Sequence, residues 1–235
     1  MARLPRLVIP HQVHHLVQMG VDGRTIFADT EDFNRFYAWL VQAAKQFDVD
    51  IHAYALLPDR LHLLLTPKDE QGLGKMMQLL GRYYVPYFNA KYQRSGTLWQ
   101  GRFKATVIEA EKYFLACCVL IEELAIRSGL VQEASAYAWS SCQHHLGFRQ
   151  DALLTDHPMI WNLGNTPFQR EAAYKALLEA GLSSNEGDKI NDITHKGWAL
   201  GSDAFVQALT KQTDRRVAPT SRGRPRKVGQ EKSLE

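Results

Sequence analysis

Cysteine is scarce in this chain of 235 residues, which holds three, Cys117, Cys118 and Cys142. The number is odd and no two stand at C-x-x-C spacing, which argues against a disulfide framework or a zinc ribbon. The three are expected to be reduced thiols packed in or near helices. Long apolar runs are missing too, since none approaches the roughly 20 residues that span a bilayer. The opening MARLPRLVIP lacks the long apolar core of a signal peptide. A soluble, cytoplasmic protein without a membrane partner is therefore expected. No internal repeat is evident, and neither sign of charge dominates, with 28 Lys and Arg facing 25 Asp and Glu.

The composition that remains, 45% hydrophobic and 23% charged, suffices for one full core and a small second unit. The charge is unevenly placed. Between Lys211 and Lys232 eight Lys or Arg face only Asp214 and Glu231, a surplus of six in a chain whose net charge is +3, so the rest is acidic by about three. A basic segment of this kind suits an acidic polymer.

Periodicity outlines the fold. His11 to Gln18 alternates like a strand, Gly20 to Arg24 is a turn, and Thr25 to Ala28 is a candidate short second strand. Asp29 to Asp32 offers capping residues for a helix whose apolar positions Phe33, Phe36, Tyr37, Leu40, Val41 and Ala44 recur at helical spacing. Ile51 to Leu57 and Leu61 to Thr66 form a hairpin about Pro58-Asp59. A helix from Leu73 to about Tyr92, a strand from Phe103 to Glu109 and a helix from Lys112 to Arg127 follow. This order predicts an α+β domain over residues 1–150, a ferredoxin-like four-stranded antiparallel sheet backed by helices. Residues 151–211 read as a C-terminal helical extension, with helices at Pro167 to Ala180 and Ser202 to Lys211 separated by the polar, turn-rich SSNEGDKINDITHKG. Residues 212–235 read as a basic, disordered tail.

Within the hairpin IHAYALLPDRLHLLLTP, Arg60 and His62 stand two apart and project from one face of the sheet. That run, the later GTLWQGRFKATVIEAEKYFLACCVLIEELAIRSGLV and Trp139-Ser140-Ser141 resemble, in order and spacing, the REP-associated single-tyrosine transposases of bacteria, over roughly residues 10 to 148. The resemblance implies a His-hydrophobic-His pair that holds a divalent metal with help from a helix, and a tyrosine one turn earlier on that helix that attacks a DNA phosphate. Here the two metal-binding histidines fall on Arg60 and His62, the nucleophile on Leu120 and the helical ligand on Leu124. An arginine carries only donors, and a leucine supplies neither a nucleophilic oxygen nor a lone pair. The family's catalytic residues are therefore expected to be absent, with His62 a vestigial ligand and no metal or other cofactor required.

Binding residues are better represented. GRYYVPYFNAKYQRSGTLWQGRFK interleaves basic and aromatic side chains, a combination that neutralises phosphates and stacks unpaired bases. At least half of Tyr83, Tyr84, Tyr87 and Tyr92 should be buried as helix core, which leaves Arg94, Trp99, Gln100, Arg102 and Lys104 as the stronger candidates. Arg60 joins them as a phosphate contact. In the tail, Arg222-Gly223-Arg224-Pro225-Arg226-Lys227 resembles an AT-hook, whose arginines enter the narrow minor groove of A·T-rich DNA. The expected protein binds hairpin or single-stranded repeat DNA without cutting it, as a transcriptional regulator or a nucleoid-associated factor. Its rival is an active single-strand transposase or endonuclease with a rearranged centre, using Tyr113, with Asp59 or Glu122 holding Mg²⁺ or Mn²⁺. RNA stays open as a partner, since stacking platforms and basic grooves accept either sugar. The resemblance favours a monomer.

Overall fold

In the computed structural model, which describes residues 6–219, the strands are β1 (His14–Met19), β2 (Val49–Leu57), β3 (Arg60–Pro67) and β4 (Lys104–Val107). They form one antiparallel sheet in the order β2-β3-β1-β4. The first three helices are α1 (Thr30–Gln46), α2 (Gly72–Lys91) and α3 (Ala110–Glu122). Single turns follow as α4 (Leu124–Arg127), α5 (Cys142–His145) and α6 (Pro158–Trp161), and then α7 (Pro167–Ala180), α8 (Ser184–Lys196) and α9 (Asp203–Thr210). Among the described residues no helix is long and apolar enough to cross a membrane.

Local chemistry fixes the entry of α1. Asp29 Oδ1 accepts from the Asp32 N–H at 3.0 Å, and Asp32 Oδ2 accepts from the N–H groups of Ala28 and Asp29, a reciprocal cap. Pro58 and Asp59 form the β2–β3 turn, which places Leu57 opposite Arg60. The candidate strand at Thr25 to Ala28 is a loop instead, because the N–H groups of Ile26 and Phe27 both donate to the Pro58 carbonyl and leave no ladder to extend.

β3 alternates between two cores, which is why its sequence reads as an almost unbroken apolar run. Leu61, Leu63 and Leu65 join Phe36, Leu40, Met76 and Tyr84 beneath α1 and α2, while Leu64 joins Phe114, Leu120 and Ile190 on the opposite face. The predicted single helix from Lys112 to Arg127 is two helices, divided at Glu123.

The C-terminal part closes both edges of the sheet. Along β2, the Leu56 N–H donates to the Trp139 carbonyl and the Thr155 N–H to the Ile51 carbonyl. Along β4, the Leu200 N–H donates to the Val107 carbonyl and Thr106 Oγ1 to the Trp198 carbonyl. Unpaired edge strands invite association, and these pairings cover them. The stretch expected to be turn-rich is the helix α8, capped by Ser183, with Gly187, Ile190 and Thr194 buried and Gly187 beside Leu120 of α3. Residues 212–219 pack rather than trail, since Val217 is buried and its carbonyl accepts from the Ala199 N–H. The hook-like residues 222–227 lie outside the described residues.

Candidate nucleic-acid interface

Register places His62 opposite Val17, with His15 one step along the same face of β1. The two imidazoles meet, His15 Nε2 to His62 Nδ1 at 3.0 Å, and His15 Nδ1 reaches Thr194 Oγ1 at 2.9 Å. Thr194 gives its own proton to the Ile190 carbonyl at 2.8 Å. Its oxygen therefore accepts from His15 Nδ1–H, His15 Nε2 accepts from His62 Nδ1–H, and His62 keeps a lone pair on Nε2. Burial holds both rings neutral. His15 is pushed down to about 3 and His62 lies well below the ordinary histidine range, with neighbouring His15 and Arg60 adding to the effect of burial.

The positions assigned to the metal and the nucleophile do not reassemble around that lone pair. Arg60 donates to Asp59 Oδ2 at 3.0 Å and to Ser128 Oγ at 2.9 Å, with its side chain 27% exposed. Leu120 and Leu124 are buried in the apolar cluster beneath α8, and a Cβ added at Gly187 would meet Leu120 Cδ1 at 3.4 Å. Glu122 faces away into a buried network, accepting from His145 Nδ1 at 2.6 Å, Ser141 Oγ at 2.5 Å and Tyr174 OH at 2.8 Å. Tyr113 OH accepts from Lys189 Nζ at 3.0 Å. Among the described residues no three His, Cys, Asp or Glu side chains converge as a metal-binding group. One nitrogen beside a guanidinium and a leucine does not fit a divalent ion, which takes several oxygen or nitrogen ligands.

The basic candidates gather at one end of the sheet. Met19 pairs with Arg60, and its carbonyl accepts from the Gln100 N–H at 2.9 Å, which brings the loop before β4 beside the hairpin turn. Gln100, Arg102 and Lys104 are exposed and line a single cavity. Trp99 is half-buried, stacked on Tyr84 with ring centroids 6.0 Å apart. Arg94 stands apart from them over the Phe88 ring, 5.5 Å from its centroid.

Of the four helix tyrosines, Tyr84 alone is fully buried, short of the expected half. Tyr87 and Tyr92 are half-buried because their hydroxyls reach the carboxylate of Asp32, where Lys91 also binds at 3.0 Å. Tyr83 is exposed, its ring 6.0 Å from that of Trp39. His15, Thr194 and Ser128 were not singled out in the sequence. The alternation of β1 could have flagged His15, whereas Thr194 depends on the packing of α8.

Residues 10–117 match the family model described as IS200-like transposase. No curated protein matches the chain. Among solved structures, one described as a REP-associated tyrosine transposase bound to a REP hairpin aligns with a TM-score of 0.51 at 15% identity, covering 67% of this chain and 93% of its own. A crystal structure from Deinococcus radiodurans R1, assigned as a transposase, aligns with a TM-score of 0.37 at 15% identity, covering 55% of this chain and 98% of its own. The first of these likenesses is one of fold, the same four-stranded antiparallel α+β arrangement.

Proposed function

We propose that this chain, whose residues 10–117 match the IS200-like transposase family model, binds hairpin or repeat DNA without cleaving it. A single observation carries the reading. The four positions that would hold the metal and the nucleophile are an ion-paired Arg60, a neutral His62 bonded to His15, and Leu120 and Leu124 packed in the apolar cluster with Ile190 of α8. The changes on the strand and on the helix are distant in sequence, and both remove the same chemistry.

The binding side of the family's activity requires less. Cations neutralise phosphates, and an aromatic face stacks a base at about 1–3 kcal/mol. Arg102, Lys104, Gln100 and Trp99 supply these groups at the exposed end of the sheet. The similar fold of the REP-associated tyrosine transposase bound to a REP hairpin makes a DNA hairpin the natural ligand to try first.

The test is incubation of the full chain with hairpin-bearing single-stranded DNA in Mg²⁺ or Mn²⁺, with gel-shift, nicking and covalent-adduct readouts together. A shifted complex without nicking or adduct is the expected result. Nicking abolished by Tyr113→Phe would overturn the binding-only reading in favour of a rearranged nuclease. A matched RNA hairpin as competitor decides which polymer is preferred, because only contacts to the 2′-hydroxyl separate the two.

A further inference from the structure

Between β4 and the loop that follows α8 lies a cavity of about 410 Å³ whose lining is cationic and contains no carboxylate. Arg6, Arg102, Lys104 and Arg215 line it, and among the described residues none of the four takes part in an ion pair. Lys196 lines the same space while bonded to Asp192 at 2.6 Å. Like charges brought together repel, and a fold keeps such an arrangement at a cost that an anion removes. The repulsion reaches Arg6, whereas Arg215 is affected by burial alone. Burial and the charge of Arg102 lower Arg6 to about 10, and burial lowers Arg215.

Arg215 is held with donors to spare. Its Nη2 donates to the Gly197 carbonyl at 3.0 Å, while Nε and Nη1 are buried without any partner. A buried donor left unsatisfied destabilises the fold, and a charged one does so more. Gly197 caps α8 in the left-handed conformation at φ 68°, and a Cβ there would come within 3.4 Å of Arg215 Nη2. The glycine thus ends the helix beside the guanidinium.

We infer that this cavity is a phosphate site for a nucleic-acid strand, built jointly by β4 and the C-terminal extension. A strand fits better than a free anion because the cavity does not stand alone. A second cavity, also of about 410 Å³, shares Arg6, Gly101, Arg102 and Phe103 with it and is lined by Trp99. A phosphate beside Arg215 and a base toward Trp99 would occupy the two in succession. The volume of each suits a nucleotide-sized group. The site deepens the binding function proposed above and rests on it for the identity of the polymer.

Two measurements on the full chain test it. First, the salt dependence of binding to a hairpin with a single-stranded flank is compared for the wild type, Arg215→Gln and Lys104→Gln, with Arg215→Lys as the charge-retaining control. Each neutral variant should weaken binding several-fold and reduce the salt slope by the equivalent of about one phosphate, and Arg215→Lys should recover much of the loss. Normal hairpin binding by the wild type with unchanged slopes in both variants would overturn the site and leave the wider function standing. Second, inorganic pyrophosphate should raise the melting temperature of the wild type but not of Arg215→Gln, at matched ionic strength. If the hairpin does not bind and pyrophosphate still stabilises through Arg215, the phosphate site stands and the DNA-binding function falls. Absence of both effects overturns both. Lys104 is exposed, so Lys104→Gln carries the comparison if Arg215→Gln does not fold.

Discussion

His62 donates to His15 across 3.0 Å, and the chain of protons continues through Thr194 to the Ile190 carbonyl. This ties β3, β1 and α8 together in one direction, with each group the donor to the next. Thr194→Val keeps the shape and removes the oxygen, leaving His15 Nδ1–H buried without an acceptor. A loss of about 1–3 kcal/mol in urea unfolding is expected, with Thr194→Ser losing less. Equal stability of Thr194→Val and wild type would show that the relay contributes nothing.

Acid should destabilise the fold through its buried histidines. Burial lowers His14 to about 4, His15 to about 3, His52 to about 4 and His62 well below its ordinary range. An unfolded histidine titrates near 6.5, so below that pH the unfolded chain binds more protons than the folded one. Stability is therefore complete above about pH 6.5 and falls as pH drops toward the folded values, by about 1.4 kcal/mol per pH unit for each histidine. Urea midpoints measured between about pH 7.5 and about pH 5 report this directly, and a flat profile would refute it.

The sheet was readable because its strands are short, largely apolar runs with turn residues between them; the hairpin at Pro58-Asp59 and the capped start of α1 came from local chemistry alone. α8 was not readable. Its buried stripe is only Gly187, Ile190 and Thr194, embedded in Asn, Asp, Ser and Gly, residues that favour turns until a surface is offered to them. Packing against β1 and β4 supplies that surface. The same gap hid much of the candidate site, since Thr194, Gly197 and Arg215 reach it only through the packed extension. Arg60, His62, Leu120 and Leu124 were placed by the family resemblance, and the expectation drawn from them rests on residue type, because a leucine offers neither a nucleophilic oxygen nor a lone pair.

Glu122 anchors a second network, accepting from His145, Ser141 and Tyr174 with no exposure of its own. Glu122→Ala strands three buried donors at once. Each stranded donor costs about 1–3 kcal/mol, without strict additivity, so a total loss above about 3 kcal/mol is expected. Chemical denaturation measures it, and a loss below about 1 kcal/mol would mean that water replaces the carboxylate.

Restoring a family residue at one position should not restore chemistry. Arg60→His returns a nitrogen ligand to the strand while the helix still offers Leu120 and Leu124. Leu120→Tyr adds volume where Leu120 is fully buried and Gly187 already lies close, a change that costs about 1–3 kcal/mol by overpacking. Denaturing gels should show no protein–DNA adduct from Arg60→His with hairpin DNA and Mn²⁺. An adduct from that single variant would place the nucleophile elsewhere on the chain.

The tail should add affinity for DNA, and the test depends on where it is cut. A truncation at residue 212 would remove Arg215 and the buried Val217, whose carbonyl pairs with the Ala199 N–H, and would confound binding with stability. Removing residues 220–235 instead takes away five of the Lys and Arg residues, four of them in Arg222 to Lys227. Every phosphate no longer neutralised lowers the magnitude of the salt slope by about 0.9 on duplex DNA, so the slope should fall by a small multiple of that amount. If the hook-like run enters the minor groove, the truncated chain should lose more affinity for A·T-rich than for G·C-rich duplex flanks, because only the narrow A·T groove concentrates negative potential. Equal losses on the two flanks would assign the tail to nonspecific phosphate binding, and an unchanged slope would remove it from the interface.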